Sequence, residues 1–358
     1  MIMQADAKAA RLLEQSAAEI SQAASRHLLA TAPDVVRQFG SDVSSIWQQH
    51  FDQRVLELSA AIATGESRLF ASRVSWSREA MTARGQDEAF IKSTLVSLRY
   101  ALIEVLNDNL SNDIITVIDN AEQELFDNKC ESTESELDPR NPVDNIVLQY
   151  LQAILQGNSR EATRIVIDEI DHRLTAKTAI LNVLMPAQRE IGRLWHLGDV
   201  TVAEEHQVTA TTQHTMALIS QQTQRLADNG YTAVCASVAG NAHDLGIRAI
   251  SYLLEMEGWR TIYLGADVPA YDLPAAVEFY DANIIMLSLG LSSQLPKLRT
   301  AINALKQHRP RPQIMVGGNA FAGVTGLWQK IGADGYSPNG EQAIILAKEL
   351  VTPVNPLN

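Results

Sequence analysis

The stretch YTAVCASVAGNAHDLG (231–246) decides the fold of the second half of this sequence. Its first part is an unbroken apolar run that ends at a glycine, and a helical pattern, GIRAISYLLEMEG, follows the polar loop. Three more runs of the same kind come later: RTIYLGADVP (260–269), NIIMLSLGL (283–291) and PQIMVGGNAF (312–321). Unbroken apolar strands that alternate with helices predict a doubly wound parallel sheet of the flavodoxin or Rossmann type, over residues 228–358.

The loops that follow these strands are where a ligand is expected. In doubly wound sheets, ligands bind beyond the carboxyl ends of the strands. His243 lies in the first of these loops, which lacks the G-x-G-x-x-G pattern of a phosphate-binding turn. A lone loop histidine is most often a surface or capping residue, so its position alone does not assign it a function.

The residues before the sheet are helical in pattern. Residues 1–127 carry apolar residues at helical spacing and are expected to form an all-helical domain. An acidic segment with two prolines, 128–142, is expected to be a linker. Four helical stretches with short turns between them fill 143–227, which predicts a four-helix bundle.

Composition excludes some classes of function. The net charge is -13 and no cluster of Lys and Arg stands out, so direct binding of nucleic acid is not expected. No apolar run approaches the length of a membrane span and no export signal is evident, which favours a cytoplasmic protein without a membrane anchor. The two cysteines lie in unlike surroundings and are expected to be free thiols.

The four strand-end motifs NAHDLG, YLGADVP, LSLGLSS and MVGGNAF together resemble the cobalamin-binding domain family. The resemblance implies that His243 ligates the cobalt of the corrinoid from below. It also implies that Asn241 and Gly246, in the loop of His243, belong to the cofactor site, and that the loops with Ser288 and Gly290 and with Gly317 and Gly318 line the slot for the nucleotide tail of the corrinoid. Glycines there would let the backbone approach the cofactor without a Cβ collision.

Two positions depart from the family pattern. Asn241 stands where the family has an acid, so it can accept a hydrogen bond from the imidazole but adds no negative charge, and weaker ligation is expected. Gly290 stands where the family has Leu, so the apolar contact is lost or comes from Leu289 or Leu291.

The stretch RLWHLGDVTVAEEH (193–206) lies at a turn between two predicted bundle helices. The stretch has a Trp, then nine residues, then a Glu-His pair, and this spacing resembles the signature of CarH-type adenosylcobalamin photoreceptors. The resemblance implies that Trp195 walls the adenosyl group and Glu205 accepts its hydroxyls. His206 would bind cobalt from above after light has removed that group. Taken singly, a Trp at a helix end is usually core and a Glu near a helix start usually complements the dipole.

The leading hypothesis is therefore a light sensor with adenosylcobalamin as its chromophore, without enzymatic turnover. The MerR-type DNA-binding domain of CarH is missing, so 1–127 is expected to contact a regulatory protein, and a homo-oligomer is expected. The alternatives are a corrinoid methyl carrier of a methyltransferase system, a sensor of cobalamin concentration, and a photocobilin-type receptor. No residue establishes the bilin site that the last alternative requires.

Overall fold

A computed structural model describes residues 2–32, 42–86, 88–106, 108–127 and 134–352. The chain forms two compact units. Unit 1 contains Met1–Glu131 together with two later segments, Leu291–Arg299 and Gly323–Ile331. Unit 2 contains Ser132–Gly290, Thr300–Ala322 and Gly332–Asn358. The first residues of the predicted linker, 128–133, lie outside the described residues.

The elements are named here in chain order. The helices are α1 (Ile2–Gln15), α2 (Ala17–Thr31), α3 (Val43–Thr64), α4 (Arg68–Ala83), α5 (Glu88–Val105), α6 (Asp108–Asp127), α7 (Pro142–Leu155), α8 (Ser159–Asp168), α9 (Ala176–Ala179), α10 (Met185–His196), α11 (Val202–Gln222), α12 (Leu245–Met256), α13 (Leu273–Tyr280), α14 (Leu295–Gln307), α15 (Leu327–Ile331) and α16 (Gly340–Val351). The strands are β1 (Thr232–Val238), β2 (Arg260–Val268), β3 (Ile284–Ser288), β4 (Gln313–Gly317) and β5 (Gly335–Ser337).

The described residues of 1–127 form helices and short turns, as the sequence predicts. Helix α2 packs against α3 and α5, and α1 also packs against α3. The core of unit 1 includes Phe51 and Phe70, which are fully buried. It also contains a buried carboxylate, Glu57, which accepts hydrogen bonds from the guanidinium groups of Arg54 and Arg73. A buried charge with this pairing is stable only while both partners remain.

The later segments of unit 1 pack with its helices. Ser292 is buried, and its Oγ donates a hydrogen bond to the carbonyl oxygen of Leu69 at 2.9 Å. Lys330 pairs with the Glu66 carboxylate and donates to the carbonyl oxygen of Thr64 at 2.9 Å. Unit 1 is therefore not continuous in sequence.

The bundle at the start of unit 2 has clear capping signals. The Asn141 side chain accepts from the backbone N–H of Val143 at 2.9 Å, and Pro142 occupies the first helical position. Capping boxes begin α9 at Thr175 and α11 at Thr201. A π-helical turn, Ile180–Leu184, joins α9 to α10. The four predicted stretches are thus confirmed, with α9, the π turn and α10 forming the third.

Two bundle helices are shorter than their sequence patterns predict, since α11 ends at Gln222 whereas its pattern continues to residue 228, and α8 also ends early. The pattern of α8 continues to residue 173, but the helix ends at Asp168. Ile170 and Leu174 form an isolated bridge, and Asp171 adopts a left-handed backbone with φ 70°. The helical hydrogen-bond pattern cannot continue through a left-handed residue, so the chain turns there.

The sheet of unit 2 is parallel, with strand order β2-β1-β3-β4-β5. Every residue of β1 is buried, as expected for a central strand with helices on both faces. The chain reverses its direction of winding between β1 and β3, and this switch point is where doubly wound sheets bind ligands. β5 has three residues, too few for an apolar run, and the sequence pattern missed it.

The bundle and the sheet share one hydrophobic core. A continuous cluster of buried residues runs from the bundle to the strands and includes Tyr150, Ile180 and Ile219 as well as Cys235 and Met286. The Tyr150 hydroxyl is hydrogen bonded to Thr212 Oγ1 at 3.1 Å within this core. Helices α7–α11 and the sheet therefore fold as parts of one unit.

Candidate functional site

The loop after β1 places an exposed histidine beside a buried amide. His243 is exposed, whereas Asn241 is fully buried. Asn241 Oδ1 accepts from the backbone N–H of His243 at 3.2 Å, and Asn241 Nδ2 donates to the carbonyl oxygen of Ser288 at 3.2 Å. One side chain thus ties the loop after β1 to the end of β3, on both sides of the switch point.

Glycines bring the loops after β3 and β4 close together. A Cβ on Gly290 would lie 2.9 Å from Asn241 Oδ1 and 3.5 Å from His243 Nδ1. Gly318 has φ 107°, and a Cβ there would lie 2.3 Å from the carbonyl oxygen of Leu289. These two positions therefore require glycine. A Cβ on Gly317 would lie 3.1 Å from the carbonyl oxygen of Ser337, whereas nothing lies within 4 Å of one on Gly246.

The residue after His243 is a buried acid that the sequence analysis did not single out. Asp244 Oδ2 accepts from Arg248 at 3.0 Å and from the Tyr263 hydroxyl, and Gln213 Nε2 of helix α11 lies 3.4 Å from Asp244 Oδ1. Burial, followed by the bond to Asp244, raises the pKa of Tyr263. The signal that could have found Asp244 is a charged residue inside the loop motif NAHDLG.

The start of helix α11 holds two of the residues predicted to face the upper side of a cofactor. The capping box uses Glu204, whose carboxylate accepts from the backbone N–H of Thr201 at 2.7 Å. The next residue, Glu205, accepts from Thr209 Oγ1 at 2.8 Å and lies 2.7 Å from His206 Nδ1. Helix capping therefore does not explain the Glu205–His206 pair.

The side chains of His206 and Trp195 are both accessible to solvent, the first largely and the second in part. The side chain of His206 is 74% exposed. Trp195 is half-buried near the end of α10, before the turn to α11. Gln213 follows His206 by seven residues, which places it on the same face of α11 about 10 Å further along. Because the Gln213 amide contacts Asp244, this face of α11 extends to the loop that carries His243.

The side chains at this site suit a metal ion that is already held by the nitrogen atoms of a macrocycle and needs only one ligand from the protein. Among the described residues, no group of three or more His, Cys, Asp or Glu side chains is arranged to hold a metal ion. A single exposed imidazole beside glycine-lined loops can supply one axial nitrogen to a macrocycle that already holds cobalt. The residues present at the switch point therefore fit a corrinoid.

Two further sequence predictions can be compared with the structure. Cys235 is a buried free thiol, as predicted, and burial raises its pKa to about 12. In the part of the chain that the structure describes, no helix is both long enough and apolar enough to cross a membrane.

Two family models match parts of this chain. The B12 binding domain family matches residues 231–345, and a second family with the same description matches residues 147–220. Dimethylamine corrinoid protein 3 of Methanosarcina mazei is 35% identical over 121 residues, which are 33% of this chain and 71% of that protein. The chain belongs to the B12-binding family of corrinoid proteins.

A second dimethylamine corrinoid protein is matched over less of its own length. Dimethylamine corrinoid protein 3 of Methanosarcina acetivorans is 36% identical over 121 residues, so the chain spans 55% of that relative. Among solved structures, the monomethylamine corrinoid protein of Methanosarcina barkeri has a TM-score of 0.49 and 16% identity, over 57% of this chain and 98% of its own. A likeness at that level supports no argument about function. The two curated relatives are named as dimethylamine corrinoid proteins and not as CarH-type photoreceptors, so they give light sensing no support.

Proposed function

We propose that this protein is a corrinoid methyl carrier that binds cobalamin with His243 as its lower cobalt ligand. The observation that carries the proposal is the exposed imidazole of His243 at the switch point of a B12-binding fold, beside loops that Gly290 and Gly318 bring together. A bound corrinoid supplies a cobalt ion that can hold a methyl group. The relatives' names, dimethylamine corrinoid proteins, support a methylated donor as its source.

In this proposal the chain's own residues hold and orient the cofactor. His243 would supply a nitrogen ligand to the cobalt, and Asn241 holds the loop that bears this histidine. Ser288 and the Gly317–Gly318 turn line the slot for the nucleotide tail, and Gly246 leaves the start of α12 open beside it. The chain carries the group and a separate methyltransferase performs the transfer, so the partner is proposed to be such an enzyme.

A light sensor that uses adenosylcobalamin is a second candidate. This candidate is favoured by the Glu205–His206 pair, because the capping of α11 uses Glu204 instead. The pair lies on the face of α11 that extends to the loop of His243. In that case Trp195 and Glu205 would select the adenosyl group, and 1–127 would transmit the signal to a regulatory protein or a second copy.

The test begins with the full-length protein reconstituted in darkness with hydroxo-, methyl- or adenosylcobalamin. We expect binding in the form in which the cobalamin's own base has left the cobalt. We also expect transfer of the methyl group from the methylcobalamin-loaded protein to a thiol acceptor when a corrinoid-dependent methyltransferase is added, and not without it. His243→Ala should lower affinity by at least about 10-fold, because loss of a cobalt ligand should cost no less than loss of a group that only orients such a ligand. Absorbance spectra and equilibrium dialysis give both quantities.

His172→Ala is the matched control, because His172 is also exposed but lies in the bundle, outside the β1 loop. Equal affinity for wild type and His243→Ala would remove His243 from the site. A marked preference for adenosylcobalamin, with a change in molecular size on illumination, would overturn the carrier in favour of the sensor.

A further inference from the structure

The end of strand β2 holds a residue in an uncommon backbone conformation. Asp267 has φ 55°, in the left-handed region that non-glycine residues seldom adopt. The pairing of β1 with β2 shifts register just before it, because Ala236 pairs with Gly265 while Val238 pairs with Val268. This irregularity turns Asp267 out of the regular strand.

In this conformation Asp267 contacts the loop that bears His243 through two hydrogen bonds. Its Oδ1 accepts from the backbone N–H of Gly240 at 2.5 Å, and its own backbone N–H donates to the carbonyl oxygen of Asn241 at 3.2 Å. The first bond is charge-assisted, a class stronger than a bond between neutral groups. Both bonds end on residues immediately before Ala242 and His243.

The loop is thus held from both neighbouring strands. On the β3 side, Asn241 Nδ2 donates to the carbonyl oxygen of Ser288. On the β2 side, Asp267 binds the backbone of Gly240 and Asn241. Because β1 lies between β2 and β3, these contacts fix the path of the loop while the His243 side chain stays exposed.

We propose that Asp267 is a positioning residue, which holds the backbone of the β1 loop so that the His243 imidazole is presented for axial ligation. The inference rests on the proposed binding of cobalamin through His243. It also accounts for the uncommon backbone: an unfavoured conformation persists where the surrounding contacts require it, and such residues gather at functional sites.

Asp267→Gly separates positioning from stability. Glycine adopts φ 55° without a Cβ penalty, so the apoprotein should melt no lower than wild type, although the carboxylate bond to Gly240 is gone. Axial ligation should then weaken, with affinity for hydroxocobalamin reduced by about 10-fold. Asp267→Asn keeps an acceptor oxygen and tolerates the left-handed region, so it should restore most of the wild-type affinity.

Ligation itself is read by electron paramagnetic resonance of the full-length protein loaded with cobalamin in the Co(II) state. An axial ¹⁴N nucleus splits the spectrum into triplets, and ¹⁵N-histidine labelling turns them into doublets only if the ligand is a protein histidine. Wild type and Asp267→Asn should show the doublets, whereas Asp267→Gly should show a reduced fraction of them. Asp281→Gly is the matched control, since Asp281 is an exposed left-handed aspartate with φ 52° at the end of α13.

The outcomes are distinguishable. If wild type binds no cobalamin or shows no protein nitrogen, the proposed function fails and the inference with it. If wild type ligates cobalt and Asp267→Gly does so equally well, the inference alone is overturned. If the Asp267→Gly apoprotein melts well below both wild type and Asp281→Gly, Asp267 is a structural residue, which also overturns the inference.

Discussion

The Asn241 side chain makes use of both ends of its amide. The oxygen accepts from the backbone of His243 and the nitrogen donates to a carbonyl oxygen of the neighbouring strand. A carboxylate has no donor for that carbonyl, so the acid found at this place in the family pattern could not make the second bond here. The departure from the pattern therefore has a geometric reason in this chain: Asn241 links two loops while fully buried.

Asn241→Asp is therefore expected to destabilise the apoprotein by about 1–3 kcal/mol, since a buried bond is lost and a buried charge faces a carbonyl oxygen. Thermal melting of the full-length protein measures the effect. Asn229→Asp is the control, because its Nδ2 also donates to a carbonyl, that of Glu257 at 3.2 Å, but in an exposed position. Equal melting temperatures for the two variants would show that the Ser288 bond contributes little.

At the scale of single elements, helix α3 combines aromatic packing with buried charge. The His50 ring lies edge-on to Trp47, with ring centroids 5.0 Å apart, and near Phe51. Desolvation, followed by the charges of Arg54 and Arg73, lowers the pKa of His50 from 6.5 to about 3. In the folded protein this histidine is thus neutral over a pH range in which the unfolded chain would protonate it.

Acidification should therefore destabilise this helix. The unfolded state binds the proton once the pH falls below 6.5 and the folded state only near 3, so stability is lost across that window and levels off below it. Between about pH 7 and about pH 4.5 the loss should reach about 2–3 kcal/mol. Hydrogen exchange of α3 peptides measures the opening free energy.

His50→Phe is the matched variant, because phenylalanine keeps an aromatic ring beside Trp47 but cannot take up a proton. Its α3 peptides should lose less protection on acidification than those of wild type. The same loss in both proteins would assign the acid sensitivity to other groups, and the low pKa of His50 would then have no measurable consequence.

At the scale of the whole molecule, the features that could be predicted from the sequence are those that depend on the spacing of apolar residues. The sheet, the bundle and the helical N-terminal region follow from the spacing of apolar residues, and these parts are confirmed. The position of His243 at the ligand-binding edge also follows, because strand ends can be located in an alternating fold. Strand β5 was missed because three residues carry no periodicity.

The role proposed for Asp267 and the contacts of Asp244 could not be predicted in the same way. Asp267 depends on a register shift and a left-handed backbone, neither of which an apolar run ending in GADVP specifies. The Asp244 contacts join residues from three elements, α11, α12 and β2, that are far apart in sequence. Such contacts exist only after the chain has folded, so only a structure reveals them.

Unit 1 consists of three separate segments of the chain, so it cannot be complete until all three have been translated. Its N-terminal helices leave the ribosome first, but Leu291–Arg299 and Gly323–Ile331 belong to the same unit and emerge later. At about 5–20 residues per second, the roughly 200 residues from the end of the first segment to Ile331 take about 10–40 s to synthesise. During that interval the carbonyl oxygen of Leu69 and the carboxylate of Glu66 lack the hydrogen bonds that Ser292 and Lys330 donate to them in the folded protein. The earlier helices of unit 1 are thus completed only after its two later segments have been synthesised, and the nascent chain spends that time with part of the surface of unit 1 uncovered.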